Sequence, residues 1–187
     1  EEEHRALNIN ERKGDEATHA ALAWLEKNKR KRFFLFLHYF DPHTPYDPPE
    51  PFASRFADNL YAGEVAYADH CAGQVIAKLR ALDLYDSTVL VIAGDHGEML
   101  GEHGEKTHGY FIYESGVKVP LLFRVPGQSQ SRTVDDLAGL IDIVPTICSL
   151  LGIQLPSPVQ GRDLSPFLLG KNLTTGQRYL YCESLYP

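Results

Sequence analysis

The stretch VLVIAGDHGEMLGEHGEKTHG, residues 89–109, joins an apolar run to a segment rich in ion-binding side chains. After five apolar residues it carries three histidines, four acids and one lysine, spaced by five glycines. Carboxylate oxygens and imidazole nitrogens are common ligands of divalent cations, and a lysine can neutralise an anion. A solvated loop could have the same composition, so the candidate residues have to be weighed one by one.

Asp95 and His96 are the first candidate pair. On a straight strand, adjacent side chains face opposite ways and could not share a ligand. Gly94 and Gly97 flank the pair and permit a bend that would aim both side chains inward. A carboxylate oxygen beside an imidazole nitrogen would then suit a divalent cation. The alternative is a loop in which Asp95 caps a helix starting near Glu98 and His96 is exposed.

A second histidine lies in the loop DPHTPYDPPEP, where prolines at 42, 45, 48, 49 and 51 exclude regular structure. Each proline ring fixes φ and so stiffens the loop. His43 lies between Pro42 and the Thr44-Pro45 pair, with little backbone entropy left to lose. Such a restricted backbone suits a side chain that contacts a substrate. The alternative is a histidine that packs on Tyr46 in a surface loop.

The segment GEHGEKTHG is too rich in glycine to hold a helix unaided. As a mobile loop, it could use Lys106 and His108 to cover an anionic group. The alternative is a hydrated loop in which the neighbouring glutamates compensate the lysine. We favour that alternative for His103.

Hydrophobic periodicity predicts the elements that would position these loops. Helices are expected over 15–28, 61–82 and 136–152, and strands over 33–40, 87–93, 119–126 and 179–183. Strands that alternate with long helices predict an α/β fold, a largely parallel sheet flanked by helices. In such sheets ligands bind beyond the carboxyl ends of the strands, and both histidine-bearing loops start at such ends. The run FFLFLHYF is expected to be buried on both faces, with His38 as a hydrogen-bonded core residue.

Composition excludes several classes of protein. The chain has 187 residues, 43% hydrophobic and 23% charged, which suits one globular domain, and its net charge of −7 argues against a nucleic-acid partner. No apolar run reaches the ~20 residues of a membrane span. Three separated cysteines form neither a disulfide framework nor a zinc cluster, and they leave the compartment undecided. The chain lacks an initiator Met and stops just after a strand-like run, so we expect a piece of a longer protein.

Six stretches together resemble the sulfatase family of the alkaline-phosphatase superfamily. They are FLFLHYFDPHTPYDPP, YAGEVAYADHCAGQVIAKL, TVLVIAGDHGEMLGEHG, HGYFIYESGVKVPLLFRVPG, LIDIVPTICSLLGI and QGRDLSPFLLG, in family order over roughly 30–187. The resemblance implies an alkaline-phosphatase-like sulfatase fold, incomplete at both ends. Residues 1–187 would be the C-terminal portion of one catalytic domain. The N-terminal half that carries the nucleophile and the C-terminal subdomain would be absent.

The same resemblance implies hydrolysis of a small-molecule or glycan sulfate ester through a covalent enzyme intermediate. The family binds one divalent cation, calcium in typical sulfatases with Mn²⁺ or Zn²⁺ as alternatives, through two N-terminal acids and an Asp–Asn or Asp–His pair. Asp95 and His96 match that pair, and His43 matches the histidine that contacts the ester. Where the family often has a lysine, the matching region carries His108, as in the phosphoethanolamine-transferase-like branch, so Lys106 and His108 compete for that role.

The nucleophile does not lie among these residues. Sulfatases use a formylglycine made from Cys or Ser in a C/S-x-P-x-R motif, and the contexts HCAGQ, ICSLL and YCESL do not fit it. The resemblance therefore assigns part of the metal site and the ester-binding residues to this chain. A phosphodiesterase- or phosphoethanolamine-transferase-like member and a non-catalytic fragment stay open as alternatives. The oligomeric state is also open, and the family's periplasmic, secreted and lysosomal locations do not decide the compartment.

Overall fold

The computed structural model describes residues 12–105, 108–171 and 176–185, and the chain divides into two compact units, Glu1–Asp86 and Ser87–Pro187. The helices are α1 (Gly14–Asn28), α2 (Phe52–Arg55), α3 (Leu60–Ala81), α4 (Glu114–Val117), α5 (Ile143–Leu151) and α6 (Ser165–Leu168). The strands are β1 (Leu90–Ala93) and β2 (Leu121–Arg124), and 3-10 turns cover Tyr85–Ser87, Glu102–Gly104 and Leu140–Asp142. The long helices predicted over 15–28 and 61–82 are confirmed.

The first unit is built on α1 packed against α3. Asp15 and Glu16 lie in the first turn of α1 and Lys27 in its last, an order that the helix dipole favours. The side chain of Asn59 caps α3 by accepting a 3.0 Å hydrogen bond from the N–H of Ala62. Apolar residues recurring at three- and four-residue steps bring the buried faces of both helices together. Their shared core contains Ala21, Leu25, Val75 and Leu79.

Segment 33–40 follows the two-residue period of a strand but is not assigned as one. Phe33, Leu35 and Leu37 pack against the helical core, whereas the side chains of Phe34 and Phe36 are each 78% exposed. Our prediction of burial on both faces is therefore wrong for the described residues, and so is the prediction of a strand. A strand needs a hydrogen-bonded neighbour, and no described segment supplies one to these residues. His38 lies on the exposed face, so its prediction as a core residue is also wrong.

The sheet of the described residues consists of β1 and β2, which pair antiparallel with Leu90 opposite Arg124 and Ala93 opposite Leu121. The sequence predicts a largely parallel sheet, so the direction of this pair differs from the expectation. Parallel neighbours need a crossover, usually a long helix, and in the described part of the link from β1 to β2 the longest helix is the four-residue α4. The apolar runs over 87–93 and 119–126 contain β1 and β2, but the connection between two strands sets their direction.

The predicted helix over 136–152 is shorter in the structure, where the 3-10 turn Leu140–Asp142 leads into α5. The helix ends at Gly152, whose φ of +64° is the left-handed cap that the glycine predicts. The run predicted as a strand at 179–183 is not assigned as one. Among the described helices, none has the length and apolar character to cross a membrane.

Candidate metal-binding and ester-binding residues

Asp95 and His96 lie in a turn that leaves β1 and is tied to the segment leading into β2. The N–H of Gly94 donates to the carbonyl of Pro120 at 3.2 Å, and the N–H of Gly97 donates to the carbonyl of Gly116 at 2.8 Å. Within this turn His96 Nε2 lies 3.7 Å from Asp95 Oδ1. The bend predicted from the flanking glycines therefore places both side chains on the same side. No helix begins near residue 98, so the capping alternative is wrong.

Hydrogen bonding identifies the ring nitrogen of His96 that is available to a ligand. Nδ1 lies 2.8 Å from the carbonyl oxygen of Gly97, which can only accept, so Nδ1 donates. In the neutral ring the lone pair is then on Nε2, the nitrogen beside Asp95. Metal-binding histidines usually donate their other ring N–H to a carbonyl or carboxylate in this manner. The pair thus has the tautomer that a metal site requires.

The spacing of the pair also fits a shared cation. Two ligand atoms at right angles, each about 2.4 Å from one ion, lie about 3.4 Å apart, so the observed 3.7 Å needs only a small adjustment. The side chains of Asp95 and His96 are 78% and 40% exposed, which leaves room for further ligands. Within 12–105, 108–171 and 176–185, no three or more His, Cys, Asp or Glu side chains are arranged to hold a metal ion. The role of Asp95 and His96 as metal ligands therefore stays a prediction.

His108 lies against the same pair. Its ring stacks on that of His96 with centroids 3.7 Å apart and an interplanar angle of 28°. Its Nδ1 lies 3.2 Å from Oε1 of Glu98, whose side chain is only 6% exposed. The carboxylate of Glu98 can accept a hydrogen bond from the Nδ1–H of His108 and so orients the ring. Its competitor for this role, Lys106, lies outside the described residues.

The third histidine of the stretch 89–109, His103, has other contacts. His103 stacks on Tyr113 with ring centroids 3.8 Å apart, and its backbone has a left-handed φ of +57°. This contact is to a tyrosine and not to the stacked pair of His96 and His108. The interpretation of His103 as part of a hydrated loop stays a prediction.

His43 belongs to the first unit, on the proline-rich loop. Its ring packs on Phe40 with centroids 4.3 Å apart, and its Nδ1 donates to the carbonyl of Thr44 at 2.7 Å. The ester contact predicted for His43 would therefore be made through Nε2. A neutral ring with this tautomer would only accept through Nε2, so donation to an ester oxygen requires the imidazolium form.

Two acids near these candidates do not emerge from the sequence reasoning. Glu98 contacts His108, and its only sequence signal is its place in the stretch 89–109. Glu64, on α3, accepts the backbone N–H of His43. Its signal is clearer, because it shares the buried stripe of α3, an apolar face on which an acid is costly. That stripe contains Gly63, Glu64, Tyr67, Cys71, Val75 and Leu79.

The candidate residues are divided between the two units. His43 lies in the first unit, whereas Asp95, His96 and His108 lie in the second. The structure brings Asp95, His96 and His108 together. The convergence of His43 with the Asp95–His96 pair around a cation and an oxyanion stays a prediction.

Comparison with known proteins gives a consistent result. The sequence profile of the family described as Sulfatase matches residues 4–153. Steryl-sulfatase of Mus musculus is 35% identical over 185 residues, which cover 90% of this chain and 30% of that protein. Arylsulfatase K of Homo sapiens is 30% identical over 165 residues, covering 82% and 31%. The chain thus spans about 30% of the length of these curated relatives.

Solved structures show the same relationship at the level of the fold. A phosphonate monoester hydrolase from Silicibacter pomeroyi superposes with a TM-score of 0.77 at 25% identity, over 89% of this chain and 44% of that one. This likeness confirms the predicted fold class, with the described helices and small sheet forming part of an alkaline-phosphatase-like sulfatase fold. Because the profile match covers most of the chain and curated sulfatases align along nearly all of it, this chain belongs to the sulfatase family.

Proposed function

We propose that this chain contributes part of the metal site and the ester-binding residues of a metal-dependent sulfuric ester hydrolase. The Asp95–His96 pair supports this most directly, because its 3.7 Å spacing and the tautomer of His96 suit a shared cation. A formylglycine nucleophile and the remaining ligands would come from elsewhere in the protein. Its substrate would be a small-molecule or glycan sulfate ester.

A divalent cation bound by Asp95 and His96 would polarise a non-bridging oxygen of the ester. Family resemblance favours Ca²⁺, whereas the imidazole ligand is better suited to Mn²⁺ or Zn²⁺. Asp95 would contribute negative charge to the shell, and His96 a neutral nitrogen through Nε2.

The remaining candidates would handle charge on the ester and on the leaving oxygen. His43, protonated on both nitrogens, would keep Nδ1 on the carbonyl of Thr44 and donate from Nε2 to an ester oxygen. His108 would hold a proton against Glu98 and could give one to the leaving oxygen. Lys106 is the competing donor for that step.

The test measures metal-dependent hydrolysis of an aryl sulfate by the full-length protein, with Asp95→Asn and His96→Ala as variants. We expect turnover to fall at least about 10- to 100-fold in both, the loss that follows removal of even an orienting partner of a metal ligand. His103→Ala is the matched control, a histidine of the same segment that stacks on Tyr113. Full metal-dependent turnover in Asp95→Asn would overturn the ligand assignment.

Hydrolysis of a phosphonate or phosphate diester is the second candidate function. His108 in place of the usual lysine and the likeness to a phosphonate monoester hydrolase favour it. Assaying an aryl sulfate and an aryl phosphonate monoester side by side decides between the two. A higher kcat/KM on the phosphonate would replace the sulfatase proposal, and no turnover of either by the full-length protein would favour a non-catalytic role.

A further inference from the structure

The proline-rich loop is held to α3 by the carboxylate of Glu64. Oε2 of Glu64 accepts the backbone N–H of His43 at 2.9 Å, and Oε1 accepts the backbone N–H of Asp47 at 2.7 Å. Glu64 is 4% exposed, so water does not compete strongly for either bond. A single buried side chain therefore fixes both ends of segment 43–47.

The neighbouring residue shows how closely the loop lies on the helix. A Cβ at Gly63 would lie 2.9 Å from Cγ of Pro48 and 3.4 Å from the carbonyl oxygen of Phe52. Side chains do not normally approach so closely, so only glycine suits this position with the loop in place. The proline-rich loop thus packs directly on the backbone of α3 at Gly63. The next residue, Glu64, holds the loop through the amides of His43 and Asp47.

The orientation of the His43 ring depends on this same backbone. Nδ1 of His43 is bound to the carbonyl of Thr44, the next residue, and the ring packs on Phe40. A shift of the backbone at residues 43 and 44 would therefore turn the ring and move Nε2. Glu64 accepts the backbone N–H of His43, at the start of this stretch of backbone.

Packing alone does not account for an acid at this position. Burial raises the pKa of Glu64, and the charge of Asp41 adds to this, while the two backbone hydrogen bonds and Lys13 act in the opposite direction. A neutral glutamine would avoid the cost of burying charge, but it has one acceptor oxygen and one donor nitrogen. It could accept from one of the two amides only and would face the other with a donor. Only a carboxylate can accept from both amides at once, so an acid at this position holds both ends of segment 43–47.

We propose that Glu64 is a positioning residue for His43. Glu64 fixes the backbone of residues 43–47 so that Nε2 of His43 faces the ester in one orientation. The inference rests on the proposed ester-binding role of His43. It goes beyond that role by naming a residue on another element that acts through the histidine.

The test uses Glu64→Gln in the full-length protein, with aryl sulfate turnover and amide hydrogen exchange measured together. We expect kcat/KM to fall about 10- to 100-fold, the scale of a misplaced catalytic group. We also expect faster exchange at the amides of His43 and Asp47. Asp69→Asn is the matched control, an exposed carboxylate on α3 changed to an amide, and it should alter neither measurement.

Repeating the test in a His43→Ala protein distinguishes a positioning role of Glu64 from a general effect on stability. In a His43→Ala protein, adding Glu64→Gln should cause no further loss of kcat/KM, because the residue acts through the missing ring. A further loss as large as in the wild-type background would overturn the inference. Glu64→Asp keeps two acceptor oxygens on a shorter stem and should lose less than Glu64→Gln, and an equal or larger loss would contradict the proposal.

The two proposals fail in different ways. If His43→Ala keeps full turnover, the ester-binding role is wrong, whatever Glu64 does to the loop. If His43→Ala is inactive while Glu64→Gln retains full turnover and protected amides, the role of His43 stands and the positioning role of Glu64 is wrong.

Discussion

The hydrogen-bond network around Asp142 allows a quantitative prediction of stability. The side chain is fully buried, and Arg178 donates to it from both terminal nitrogens at 2.6 Å each. The backbone N–H groups of Gly139 and Arg162 donate to it as well, at 2.9 and 2.7 Å. Four donors from three separate segments therefore converge on one carboxylate.

The perturbation is Asp142→Ala. It leaves the guanidinium of Arg178, whose side chain is 17% exposed, and two backbone N–H groups without their acceptor. Removing one partner of a buried ion pair costs about 3–5 kcal/mol. With an m-value of about 2 kcal/mol/M, the urea midpoint should fall by about 2 M. Asp135→Ala, an exposed acid in the same unit, should change the midpoint little.

The lowered pKa of Asp142 predicts that its contribution to stability depends on pH. Burial by itself opposes ionisation of Asp142, but the hydrogen bonds from Arg178, Arg162 and Gly139 hold its pKa below the usual range. Because the pKa is lower in the folded chain, the carboxylate stabilises the fold above pH about 4, and this contribution is lost as the pH falls through the folded value. The difference in unfolding free energy between wild type and Asp142→Ala should therefore shrink below pH about 4.

The assay is urea unfolding followed by far-ultraviolet circular dichroism at several pH values, combined with hydrogen exchange at the amides of Gly139 and Arg162. Both amides should exchange faster in Asp142→Ala. An unchanged midpoint with both amides still protected would refute the reasoning, since the network would then contribute nothing to this part of the fold.

Three other changes test single features of the structure. A Cβ at Gly97 would lie 1.9 Å from the carbonyl oxygen of Ser115, so Gly97→Ala should lower the unfolding free energy by about 1–3 kcal/mol in urea titrations. Gly73 has open space around its Cβ position within α3, so Gly73→Ala should raise the same quantity by about 0.5–1 kcal/mol, and a loss there would contradict the assignment of a helix interior. Cys71 is buried, which raises the pKa of its thiol, whereas Cys182 is exposed. Iodoacetamide should therefore modify Cys182 in the folded chain and reach Cys71 only after unfolding, and equal rates would show that the burial is wrong.

The long helices α1 and α3 were predictable because their buried faces repeat at three- and four-residue steps, a pattern that depends only on local geometry. The left-handed end of α5 at Gly152 followed from the same local reasoning. The apolar run at 33–40 shows where this local reasoning stops being sufficient. An apolar run indicates burial but not which neighbour covers each face, and Phe34 and Phe36 are exposed although the sequence predicts them inside.

The residues of the candidate site also fall into those that local sequence reasoning could identify and those that it could not. Asp95 and His96 could be selected from the sequence because the flanking glycines and the residue types are adjacent in the chain. Glu64 and Glu98 were missed because their roles depend on hydrogen bonds to residues 10 to 21 positions away. A glutamate on a helix has the same sequence signature whether it faces solvent or holds a loop.

The sequence by itself determined the family, the periodic helices and the choice of His43, Asp95, His96 and His108 as candidates, since residue type and local spacing carry that information. Only the tertiary structure decided the antiparallel direction of β1 and β2, the ring nitrogen that each histidine presents, and the acids that hold them. These depend on which backbone carbonyls and carboxylates lie within about 3 Å, and packing between distant segments sets such distances.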